Sequence, residues 1–271
     1  EQSRKSIKMN EKKNITTKET FALAVQNHKK NNLEVAEKLY KEILNIDPNH
    51  FESIFYLGSL LLQTKNFDEA KQLLQKAIQI NPDHADAHYN IGNVLIELGE
   101  IQKAKNCYKK TIQINPNHAD AHNNLGNVLK KLGEDQKAIS SYKEAIKINP
   151  EYANAHNNLG LIFQELEEFQ IAISSYRKAI EIEPHHADAH NNLGNLLKES
   201  GDYKKAISCF EKAIEINPNY VAAYNNLGTA LADLGKYKKA VDCYEKVIQI
   251  NPNFATAYYN LGIVFKEMEE L

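Results

Sequence analysis

The sequence predicts an all-α solenoid, a stack of antiparallel helix pairs repeating every 34 residues. Three observations carry that prediction. All seven prolines, Pro48, Pro82, Pro116, Pro150, Pro184, Pro218 and Pro252, fall on one 34-residue lattice. Seven glycines keep the same interval, from Gly58 through Gly92, Gly126, Gly160, Gly194, Gly228 and Gly262, and so do Ala70, Ala104, Ala138, Ala172, Ala206 and Ala240. A fixed interval of this length marks copies of one supersecondary unit, none of which buries its apolar face alone.

Taken in order, residues 1–16 are charged and lack an apolar core, so they read as a disordered lead. Thr16-x-x-Glu19 has the form of a capping box and opens a degenerate repeat at 17–50, where Ala24 replaces the glycine. Six full repeats follow at 51–84, 85–118, 119–152, 153–186, 187–220 and 221–254. In 119–152 the stretch "ADAHNNLGNVLKKL" has helical apolar spacing and stops at Gly133, which can adopt the left-handed backbone of a C-terminal stop. A second amphipathic stretch, "DQKAISSYKEAIKI", stops at Asn149-Pro150, because proline cannot continue a helix. Each repeat is therefore helix A, tight turn, helix B, tight turn. The small Gly126 and Ala138 let the helices approach closely, and the aromatic at Tyr108, Tyr142, Tyr176, Phe210 and Tyr244 fills space between repeats. Residues 255–271 supply helix A of a truncated further repeat. Ile263, Val264 and Phe265 should then lack their usual cover, which points to a fragment of a longer chain.

These marks resemble the tetratricopeptide repeat (TPR) family. Its W-x2-L-G-x2-Y…A-x3-F…P pattern is met by His122, Leu125, Gly126, Leu129, Ala138, Tyr142 and Pro150. His or Tyr stands at the usual Trp place, and Leu or Phe at the first Tyr place. The resemblance implies a right-handed superhelix whose A helices line a concave groove.

Totals exclude several functions. Lys and Arg number 33 against 35 Asp and Glu, a formal charge of −2, which argues against a nucleic-acid binder. No apolar run reaches the roughly 18–20 residues that cross a bilayer, so no membrane partner is expected. Three cysteines suit a reducing compartment, hence the cytoplasm.

"HADAH" at 118–122 and 186–190 presents two histidines four apart, as in a zinc-binding helix. It lacks the catalytic glutamate and straddles a helix start, and Tyr224 and Tyr258 replace the second histidine in later repeats. Space filling is the better reading, and no metal or other cofactor is expected. Cys107, Cys209 and Cys243 share a small-residue slot with Ser141 and Ser175, without a positioned base. No catalytic residue is assigned, and this segment is read as no enzyme.

Numbering each repeat from 1 at residues 51, 85, 119 and onward, a rotation of about 100° per residue puts positions 4, 7, 8 and 11 on one side of helix A. Positions 2, 5, 6, 9 and 13 fall opposite, on the expected groove wall. Position 6 reads Asn90, Asn124, Asn158, Asn192, Asn226 and Asn260, and position 9 adds Asn93, Asn127 and Asn195. Asparagine is a poor helix former, whereas its amide donates and accepts and so can pair with a peptide backbone. The row resembles the asparagine ladder of O-linked N-acetylglucosamine transferases. Asp86, Asp120 and Asp188 at position 2, with Glu97, Glu165, Glu199, Asp233 and Glu267 at position 13, give the wall a negative edge. Lys131 is the lone basic residue at these five positions, so the paired Lys/Arg carboxylate clamp of cochaperone TPR domains is missing. The expected function is a scaffold binding an extended, neutral to basic peptide. Two alternatives stand beside it: the substrate-recruiting arm of a larger glycosyltransferase or other transferase, and a spacer that self-associates end to end.

Overall fold

The computed structural model describes the backbone of residues 2–269 and the side chains of residues 16–269. The described residues contain fifteen helices and no strand. They divide into two compact units, Glu1–Leu132 and Gly133–Leu271.

The first unit holds α1 (Gln2–Lys29), α2 (Leu33–Ile46), α3 (Phe51–Gln63), α4 (Phe67–Ile80), α5 (Ala85–Glu97), α6 (Ile101–Ile114) and α7 (Ala119–Lys131). The second holds α8 (Asp135–Ile148), α9 (Ala153–Glu165), α10 (Phe169–Ile182), α11 (Ala187–Glu199), α12 (Tyr203–Ile216), α13 (Val221–Asp233), α14 (Tyr237–Ile250) and α15 (Ala255–Glu269). Within each unit every helix packs on the next, and A helices also touch A helices: α1 with α3, α3 with α5, α9 with α11, α11 with α13 and α13 with α15.

One boundary departs from expectation. Helix α1 begins at Gln2, so the segment expected to be a disordered lead is helical from that residue on. Residues 2–16 contain neither glycine nor proline to stop it. Thr16 does not open the helix; its carbonyl accepts the Thr20 hydroxyl at 2.8 Å, an interior bond.

The two turns of each repeat have separate physical causes. The turn from A to B needs a left-handed residue, supplied by Gly99, Gly133, Gly201 and Gly235 with φ of 67–82°. Asn31, Lys65 and Glu167 take the same conformation at φ of 60–62° and bear its strain, about 1 kcal/mol each. The turn from B to A is set by proline, which holds the residue before it extended: Asn81 has φ −130° and ψ 90°. The same asparagine closes the turn. Asn81, Asn115, Asn149, Asn217 and Asn251 each accept through Oδ1 the backbone N–H two residues on, at 3.1–3.3 Å.

The glycine of helix A is a seat for the aromatic of helix B in its own repeat. A Cβ at Gly92 would lie 2.6 Å from the Tyr108 ring, and at Gly160, Gly194 and Gly228 it would meet Tyr176, Phe210 and Tyr244 at 2.6–2.7 Å. The rings therefore fill the hairpin of their own repeat. Ala70, Ala104, Ala138, Ala172, Ala206 and Ala240 are fully buried. In α15, Ile263 and Phe265 are exposed as expected, whereas Val264 is buried.

Candidate functional site on the A-helix face

The histidines of "HADAH" are fastened to the chain's own backbone. The first caps helix A: His50, His84, His118 and His186 accept through Nδ1 the N–H of Ser53, Ala87, Ala121 and Ala189, at 3.1–3.3 Å. Accepting there puts the proton on Nε2, which in His186 and His118 reaches back to position 2 of the preceding A helix. His186 Nε2 lies 3.0 Å from Asn154 Oδ1, and His118 Nε2 lies 3.5 Å from Asp86 Oδ1. The second histidine braces the proline turn. His88, His122, His156 and His190 donate from Nε2 to the carbonyls of Pro82, Pro116, Pro150 and Pro184 at 2.9–3.1 Å. Tyr258 makes the same bond to Pro252 with its hydroxyl, at 3.1 Å, which explains why tyrosine substitutes there. Burial lowers the pKa of His156 and His190 and outweighs the bond to the proline carbonyl, which acts the other way, so the neutral ring is favoured. No group of three or more His, Cys, Asp or Glu side chains among the described residues is arranged to hold a metal ion.

The cysteines lie in the packed slot of helix B. Burial pushes the Cys107 and Cys243 thiols up to about 11 and raises that of Cys209, so all three stay protonated at neutral pH.

The position 6 asparagines are half-buried, and the described bonds that they donate join neighbouring A helices. In the second unit one geometry recurs. Asn192, Asn226 and Asn260 donate from Nδ2 to Oδ1 of Asn157, Asn191 and Asn225, each 35 residues earlier, at 3.1, 3.0 and 3.3 Å. In the first unit the acceptors differ. Asn90 donates to the Ser59 hydroxyl at 2.8 Å, and Asn124 donates to Asn93 Oδ1 and the Tyr89 hydroxyl, each at 3.1 Å. Asn93 also accepts the Tyr108 hydroxyl at 2.8 Å. Asn158 and Asn127 are half-buried at the equivalent places and bonded as well. Asn195 is half-buried on the same face.

Position 5 is thereby corrected. The helical wheel puts it on the open wall, yet Asn123, Asn157 and Asn191 are buried, and within the second unit the adjoining A helix bonds to Asn157 and Asn191. Asn157, Asn191 and the half-buried Asn225 are acceptors that the wheel cannot show, since their donors 35 residues on lie on another helix.

The negative edge remains at the surface. Asp86, Asp120, Asp188, Glu97, Glu165, Glu199, Asp233 and Glu267 are all exposed. Asp188 accepts the Tyr220 hydroxyl at 2.5 Å, and Asp86 faces His118, so part of this charge also orders the start of the next A helix. No helix among the described residues is long and apolar enough to cross a membrane.

Comparison with known proteins agrees with this architecture. Family models described as "Tetratricopeptide repeat" match residues 28–77 and 61–123, 151–219 and 185–253, and 107–140 and 243–271; one described as "TPR repeat" matches 126–167. A search of curated proteins found no significant match. Among solved structures, MamA is 29% identical with a TM-score of 0.55, covering 60% of this chain and 96% of its own. YrrB, "a TPR protein with an unusual peptide-binding site", is 25% identical with a TM-score of 0.53, covering 69% of this chain and 96% of its own. A tetratricopeptide repeat protein from Parabacteroides merdae shares the fold at 17% identity, with a TM-score of 0.71 over 92% of this chain and 98% of its own. With the 34-residue lattice, the glycine seats and these matches together, the chain belongs to the tetratricopeptide repeat family.

Proposed function

We propose that this segment is a protein-interaction scaffold and that the A-helix face binds an extended, neutral to basic peptide. The observation that supports this most is the recurrence of half-buried amides along that face. In the second unit Asn192, Asn226 and Asn260 hold one orientation through one N–H each. An Nδ2 group carries a second N–H, and Oδ1 has two lone pairs, so such an amide retains capacity for a peptide group. The inter-repeat bond sets its direction in advance, which lowers the entropy cost of capture. Exposed carboxylates at positions 2 and 13 favour cationic ligands through the local potential. YrrB, which resembles this chain, is itself a TPR protein with a peptide-binding site. The reading assigns no chemical step to the described residues.

Titrating matched acidic and basic peptides against the purified protein tests this reading. Basic peptides should bind more tightly, with affinity falling as salt rises; a preference for the acidic member overturns it. A second reading, self-association, is favoured by α15, where Tyr258, Tyr259, Ile263 and Phe265 are exposed. Light scattering across a concentration series should then show growth in mass, and an invariant monomer removes it.

A further inference from the structure

The second unit carries an exposed patch that breaks the repeat pattern. Ile171 stands where other copies have Glu69, Lys103, Lys137, Lys205 or Lys239. It is 44% exposed, as is Phe169 in the same first turn of α10, and Leu166 just before them is exposed too. Glu167 and Glu168 adjoin these side chains in the chain. Glu167 holds the left-handed backbone that Gly133, Gly201 and Gly235 hold at its counterparts, so a strained glutamate stands where glycine would be easier. No described bond or ion pair engages either carboxylate.

Two repeats on, α14 opens with Lys236, Tyr237, Lys238 and Lys239, and its first turn holds no acidic residue. Lysines there run against the partial positive charge of a helix start. No described carboxylate pairs with the three ammonium groups. Beside them lies an open cavity of about 500 Å³ whose walls include Tyr237 and Met268. Helices α10, α12 and α14 are the B helices of successive repeats and run in the same sense, so their first turns lie along one edge of the unit. Between the two patches α12 is nearly neutralised, since Lys205 pairs with Asp202 at 2.6 Å and leaves Lys204 as the surplus charge.

We propose that this edge is an interface between two copies of the chain, related by a two-fold axis beside α12. The axis lays α10 of one copy on α14 of the other. Phe169 and Ile171 then face the cavity beside Tyr237 and Met268, while Glu167 and Glu168 meet Lys236, Lys238 and Lys239. Both contacts form twice, because an isologous interface uses the same patch on each copy. Apolar anchors facing a pocket supply affinity, and the opposed charges around them fix orientation. A second copy fits this edge better than an anionic surface, which the glutamates repel, or a wholly basic partner, which the lysines repel. The surface is separate from the A-helix face, so the pairing stands apart from the peptide-groove reading. It also differs from stacking on α15: a two-fold contact closes at two copies, whereas head-to-tail contact goes on adding them.

The test is sedimentation velocity on the whole chain across a concentration series, at low and high salt. The monomer should pass to a dimer and no further, and salt should weaken the dimer. Glu167→Lys with Glu168→Lys makes both patches basic; Lys238→Glu with Lys239→Glu makes both acidic. Lys65 already takes the backbone conformation required at 167. Each double variant alone should dimerise at least about tenfold more weakly, and an equimolar mixture of the two should recover the dimer, since each altered patch then meets its opposite. Ile171→Lys, the residue at four equivalent positions, should also weaken the dimer about tenfold by setting lysine against lysine. Circular dichroism melts verify that the variants fold. Growth beyond two copies overturns the edge pairing, and so does a dimer that keeps its strength in either double variant. A mixture that stays monomeric, or a wild-type chain that is monomeric throughout, overturns it as well; none of these results touches the groove.

Discussion

The two units solve one problem, joining neighbouring A helices, with different chemistry. In the second unit the seam is an amide pair copied at each step: Asn192 to Asn157, Asn226 to Asn191, Asn260 to Asn225. In the first unit the seam is aromatic. Phe21 packs edge-on against Tyr56 at 5.6 Å, Phe55 lies 4.7 Å from the His84 ring, and Tyr89 lies 4.7 Å from that of His118. Where position 5 is a ring, the next asparagine turns to position 9 for its acceptor, Ser59 or Asn93. The difference teaches that position 6 is a joint between A helices. A ring contributes non-directional apolar burial, whereas an amide pair contributes a directional bond that fixes axial register. The amide seam should therefore leave a more regular row of polar groups for a ligand.

Several measurements can break or sharpen this contrast. The largest effect should come from Gly228→Leu, whose Cβ would start 2.7 Å from the Tyr244 ring. It should lower stability by about 1–3 kcal/mol in denaturant melts, as overpacked cores do. Gly262→Leu meets open space and should cost far less. Comparable losses would mean that the ring is not what the glycine accommodates. Next, Asn191→Leu removes a buried amide that accepts from Asn226 and donates to Asn192. Stranding those partners should cost about 1–3 kcal/mol and speed hydrogen exchange in α11 and α13 first. Tyr89→Phe keeps the ring and loses only a hydroxyl that accepts from Asn124, which has Asn93 as a second acceptor. Its cost should be about 0.5–1 kcal/mol. An equal or larger loss than at Asn191 would reverse the account of the two seams.

The pH dependence has a defined sign. Burial lowers the pKa of His156 and His190 below the ordinary 6.5, so the folded state binds fewer protons than the unfolded one. Their contribution is complete above 6.5 and is lost as pH falls through the lowered folded value. Melting curves from pH 7.5 to 5 should show the second unit weakening first, and replacing both with tyrosine, as at Tyr258, should flatten that slope. The smallest effect is Glu167→Gly, which relieves a left-handed residue at φ 60° and should raise stability by about 0.5–1 kcal/mol.

The sequence by itself determined the repeat, because period, turn chemistry and apolar spacing are local properties of the chain. Gly133 ends helix A and Asn149-Pro150 ends helix B for reasons contained within a few residues. The glycine seat, the buried alanine and the aromatic were legible as well, since hairpin partners lie within 34 residues and recur identically. Only the tertiary structure decided the roles of the asparagines and histidines. Asn191 counts as outward on a helical wheel, yet the neighbouring A helix buries it. His118 resembles a metal ligand in sequence, yet one ring nitrogen caps a helix and the other reaches Asp86. The start of α1 also escaped the sequence, because a good capping box cannot reveal that the preceding residues continue the helix. A polar side chain takes its role from the partner that folding brings beside it, and for these asparagines that partner stands a full repeat away.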